Sequence, residues 1–70
     1  MIPRRKDVDT ARFVRQVRDK LQLTQDELGV ILQVSLFAVS RWERGVNVPN
    51  RRAWAQLWQL WENAHRERNA

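Results

Sequence analysis

Seventy residues bound the chain to one small domain, which buries only roughly 60% of the surface its unfolded form exposes. The absence of cysteine excludes disulfide staples and cysteine zinc sites, and the lone His65 argues against a histidine metal cluster or a Ser-His-Asp triad. Thirteen Lys and Arg against eight Asp and Glu give a net charge of +5, which suits a polyanionic partner, nucleic acid before an anionic membrane surface.

An enzyme is the least favoured class, and no metal, cofactor or small-molecule substrate is expected. No apolar run approaches the roughly 18 residues of a membrane span. The opening MIPRRKDVDT carries basic residues with no apolar region behind them, so a signal peptide is not expected. A cytoplasmic, nucleoid-associated location without a membrane partner follows as the expectation.

Residues 1–8, with Pro3 and Arg4-Arg5-Lys6, read as a flexible basic arm, and 9–70 as the folded domain. Such an arm either stays solvated or reaches phosphates or a minor groove. Helix one is predicted from Thr10 to Leu21, capped by Asp9 or Thr10, with Val14, Val17 and Leu21 on its apolar stripe. Thr24 and Glu27 have the spacing of a capping box, in which each side chain satisfies the other's free backbone N–H, so helix two starts there. Leu28, Ile31 and Leu32 supply its apolar stripe, and Gly29 allows a neighbouring helix to come close.

Gln33 and Val34 make a short break before Ser35, a good cap for helix three over Leu36 to Arg44, which Gly45 stops. Val46 to Pro49 is a loop. Asn50 then caps helix four, from Arg51 to about Arg66. Its stripe of Trp54, Leu57, Trp58 and Trp61 has Ala53, Leu60 and Ala64 at the edge. No stretch keeps a strand's period. The expected fold is all-α, a compact bundle of four, or at most five, helices in which helices two and three form a helix-turn-helix unit.

Charge is uneven along these elements: 11–23 and 35–52 each carry +3 and flank a segment, 24–34, of −2. On a wheel of about 100° per residue, Val39, Trp42, Ala38 and Ser35 form the inner side of helix three. Phe37, Ser40, Arg41 and Arg44 cluster opposite them, with Leu36 flanking. Trp42 therefore reads as core and not as a stacking platform. Arg41, central and outward, is either a solvated surface charge or, on a helix that faces DNA, a bidentate reader of guanine O6 and N7 or a phosphate contact.

The run TQDELGVILQVSLFAVSRWERG closely resembles the helix-turn-helix core of the lambda Cro/cI-like repressor family, the XRE-like regulators. Thr24, Gln25, Glu27, Leu28, Leu32, Val34, Ser35, Val39, Ser40, Trp42, Glu43 and Gly45 fall in register with that family's pattern. Its turn glycine is Gln33 here, which requires a non-glycine residue in a left-handed conformation. The small residue of helix two is Gly29 where the family has alanine, and a fourth helix is the last where many relatives have five.

The resemblance implies a lambda-repressor-like fold whose helix three enters the major groove of double-stranded DNA. Arg41, Phe37, Leu36 and Ser40 are then the base-reading candidates, Phe37 and Leu36 either against thymine methyl groups or in a protein interface. Gln25, Ser35, Arg44, Asn47, Arg51 and Arg52 are the phosphate-binding candidates, and Gln25 also braces the start of helix three. Arg18 and Glu43 match a family ion pair that orients helix three; pairs of this kind contribute little net stability.

One or two of the tryptophans can cover helices one to three as core, but three on one stripe exceed what so small a core needs. Part of the stripe, Trp58 and Trp61, is therefore expected in a homodimer interface. The function expected is a dimeric (auto)repressor of a phage, plasmid or operon promoter that binds an inverted-repeat operator. The alternative is a DNA-binding antitoxin-type module whose main partner is a protein, a toxin.

Overall fold

The computed structural model describes residues 10–69, with side chains from 10 to 65, and contains four helices and no strand among them. These are α1 (Thr10–Leu21), α2 (Gln25–Leu32), α3 (Leu36–Glu43) and α4 (Arg51–Asn69). Helix α3 ends one residue earlier than its sequence suggests, because Arg44 already caps it, and α4 runs three residues further. The basic arm expected at 1–8 lies outside the described residues.

Local chemistry sets each helix start. The Thr24 hydroxyl accepts from the Glu27 N–H at 3.0 Å, and the Glu27 carboxylate accepts from the Thr24 N–H at 2.8 Å, which completes the capping box. Ser35 Oγ accepts from Ala38 N–H and Asn50 Oδ1 from Ala53 N–H, so α3 and α4 are capped at their first turns.

The ends of α1, α2 and α3 share one device. Residues Gln22, Gln33 and Gly45 all have positive φ, at 58°, 62° and 77°. Each lets the next N–H reach back to a carbonyl five residues earlier: Leu23 to Arg18, Val34 to Gly29 and Val46 to Arg41. Gln33 thus adopts the left-handed conformation required where the family pattern has glycine.

The short turns fold α2 onto α3, and α1 packs against both α3 and α4. Val14, Val17, Leu28, Val39 and Leu57 are completely buried at the junction, each stabilising the fold by about 1.5–3 kcal/mol. Leu32, Trp42, Ala53 and Trp54 close around them. Gly29 is needed here, but for the turn and not for a separate helix. A Cβ at this position would sit 2.7 Å from the Val34 carbonyl oxygen and 3.4 Å from Leu36 N, at the entry to α3.

Phe13, which the apolar stripe of α1 left out, organises the tryptophans. Its ring stacks on Trp58 at a centroid distance of 4.7 Å and meets Trp54 and Trp61 edge-on at 5.3 and 5.8 Å. Trp54 is buried, whereas Trp58 and Trp61 remain half-buried. Part of the tryptophan stripe therefore serves the monomer.

Candidate nucleic-acid interface

Helix α3 divides cleanly into two faces. Val39 and Trp42 point into the core, and Glu43 joins them with only 5% of its surface exposed. On the other side Phe37 is 66% exposed, Arg41 and Arg44 are exposed, and Leu36 lies at the margin. Ser40 is half-buried, less outward than its wheel position suggests. Among the described residues, the side chains of Arg41, Arg44 and Arg51 have no hydrogen-bond or ion-pair partner, so their guanidinium donors are available to an anion or a base edge.

Glu43 is the polar centre that holds this helix. Arg18 Nε and Nη2 donate to its two carboxylate oxygens at 2.6 and 3.0 Å, a bidentate ion pair. Arg18 Nη1 also donates to the Leu23 carbonyl at 3.1 Å, so one guanidinium ties α1 to the approach of α2 and to α3. The hydrogen bond from Arg18 holds its own pKa above the ordinary arginine value, and the group stays charged. For Glu43, burial pushes the carboxyl upward, but Arg18 and Gln25 hydrogen bonds and the charges of Arg18 and Arg15 outweigh it and leave a net downward shift.

Gln25 Nε2 donates to Glu43 Oε1 at 3.1 Å. This amide therefore braces the end of α3, where the resemblance suggested its start. The physical reason is the capping box, which places Gln25 in the first turn of α2 facing the last turn of α3.

The remaining phosphate candidates lie in the turns before and after α3 and at the start of α4. Ser35 is exposed, and its oxygen is engaged as the α3 cap. Asn47 and Arg51 are exposed beside the loop. Arg52 Nη2 donates to Gln33 Oε1 at 2.6 Å, joining the start of α4 to the left-handed turn residue.

Arg15 is a residue the sequence reading did not single out. Its Nη2 donates to the Glu43 carbonyl oxygen at 2.9 Å. The available signal was its spacing, three residues before Arg18 and hence on the same face of α1. Among the described residues no group of His, Cys, Asp and Glu could hold a metal ion, and no helix is long and apolar enough to cross a membrane.

Residues 9–69 match the family described as the helix-turn-helix domain, of the XRE/Cro-like type. The chain belongs to that family. No curated protein and no solved structure matches it. The helix-turn-helix domain gives the chain DNA as its partner and a place among DNA-binding regulators, a family that is typically non-enzymatic. In this helix-turn-helix, α2 and α3 are the paired helices, and the exposed side of α3 lies opposite the core.

Proposed function

We propose that the chain is a small homodimeric repressor, active in the cytoplasm, that binds an inverted-repeat operator in double-stranded DNA. Phage, plasmid or operon promoters, its own included, are the targets that suit a regulator of this size. Helix α3 enters the major groove; Arg41 reads guanine, and Phe37 with Leu36 presses on thymine methyl groups, with Ser40 beside them. Gln25, Ser35, Arg44, Asn47, Arg51 and Arg52 position the domain on phosphates. Arg18 and Glu43 orient α3, and Trp58 with Trp61 pairs the subunits.

The observation that carries this reading is the outer face of α3, where a 66% exposed phenylalanine stands among unpartnered arginines. Exposed Phe37 also favours a second reading, an antitoxin-type module that covers this ring with a toxin protein.

Selection of bound sequences from a random duplex pool tests the proposal. An enriched duplex should emerge, and Arg41→Ala should abolish its advantage over a scrambled duplex without unfolding the domain. Arg51→Ala should instead weaken all duplexes and lower the magnitude of the salt slope by about one. A pool that yields no preferred sequence sinks the repressor reading and leaves the protein-binding module.

A further inference from the structure

We propose that Arg15 is a positioning residue for sequence discrimination, fastening the end of α3 to α1 so that the outer face of α3 meets base edges at a fixed angle. The inference rests on the DNA-binding reading above. It begins with the last carbonyls of α3. Those of Ser40, Arg41 and Trp42 accept from the N–H groups of Arg44, Val46 and Gly45. The carbonyl of Glu43 accepts instead from Arg15 Nη2 at 2.9 Å. The bond is charge-assisted and sits at the negative end of the helix dipole, where a cation is favoured.

One turn along α1, Arg18 grips the carboxylate of the same Glu43. Helix α1 therefore holds this residue by backbone and side chain together. The backbone bond matters for orientation, since a side chain can rotate about its own torsions while a carbonyl moves only with its helix. At eight residues, α3 is about 12 Å long. A 1 Å shift at one end then tilts it by roughly 5°. Bidentate arginine contacts with guanine demand fixed geometry, whereas phosphate contacts tolerate such a tilt.

Because Arg15 is exposed and charged, a direct phosphate contact is the competing role, and salt dependence separates the two. The probes are the duplex enriched by the wild-type protein and a scrambled duplex of equal composition. Binding is measured over a salt series, at a fixed interval below each variant's melting midpoint, so that lost stability does not enter. Arg15→Met should lower the ratio of the two affinities about tenfold, comparable to losing one base contact. Scrambled-duplex affinity and the salt slope should stay near wild type. Arg15→Lys, which can still donate to the carbonyl, should recover most of the ratio.

An unchanged ratio overturns the proposal. So does an equal loss on both duplexes with the slope reduced by about one, which would make Arg15 a phosphate contact. If Arg15→Met does not fold, Arg15→Gln, whose side chain stops short of the carbonyl, supports the proposal by a reduced ratio and overturns it by an unchanged one. A wild-type protein without any preferred duplex overturns the DNA reading itself, an outcome visible before any variant is made.

Discussion

The depressed Glu43 carboxyl makes part of the stability depend on pH, in a direction that can be worked out. Unfolded, the group titrates near 4.3; folded, it titrates lower, because Arg18 and Gln25 hydrogen-bond to its charged form. Its contribution is therefore fully present above about pH 4.3 and is lost as pH falls through the lower folded value. The Glu43 share of the melting temperature should hold between about pH 5 and 8 and fall below about pH 4.3. Glu43→Gln should melt lower at neutral pH and show a shallower acid limb in circular dichroism melts. An acid limb as steep as that of wild type would assign the effect to other groups. The Arg18–Glu43 pairing was legible in the sequence through its family register. The Gln25 and Arg15 bonds to Glu43 were not: spacing puts Arg15 on the Arg18 face of α1, but the atoms that Arg15 and Gln25 meet depend on how α1 and α2 cross α3.

Helix ends show where local sequence is a sufficient guide. Thr24, Ser35 and Asn50 each bond a backbone N–H three residues ahead, a distance at which the partner is fixed once the helix begins. Phe13 shows the opposite case: one position from Val14, it sits at the margin of the α1 stripe, and only α4 packing across it buries the ring. Gly29 sets these two influences against each other. Alanine is favoured over glycine inside a helix by about 1 kcal/mol. Against this stands the 2.7 Å approach of the Val34 carbonyl, a backbone atom that no rotamer change can move. Overpacking of this kind costs about 1–3 kcal/mol. Gly29→Ala should therefore lose about 1 kcal/mol, seen as a lower urea midpoint with an unchanged slope. A higher midpoint would mean that the turn into α3 withdraws freely.

Under the proposed function, the tryptophan stripe is where two copies of the molecule would pair. Phe13 accounts for one side of Trp58 and Trp61 and leaves both half-buried. An enclosed aromatic side chain buries about 150–250 Å², and a small stable interface needs about 1,200 Å² in total. Because both rings are already partly covered within one copy, they would supply only a minor part of that, and neighbouring exposed α4 residues would have to supply the rest. Under the proposed function, Trp61→Ala should weaken self-association at micromolar concentration, and operator binding with it, while helix content is mostly kept. Sedimentation equilibrium decides the matter: a monomeric wild type, or a variant that unfolds, would make these rings purely core.

Three left-handed residues, Gln22, Gln33 and Gly45, stop three helices with bonds that reach back only five residues. Each stop depends on near neighbours alone, whereas the packing of α1 against α3 and α4 joins more distant parts of the chain. Helical domains dominated by local pairings fold within microseconds to milliseconds. When reclosing is that quick, a protease captures only the equilibrium share of open molecules, however often they open. The survival time of this protein in a cell would then follow its folding free energy and not its unfolding rate, so DNA binding, by stabilising the folded form, would lengthen its life.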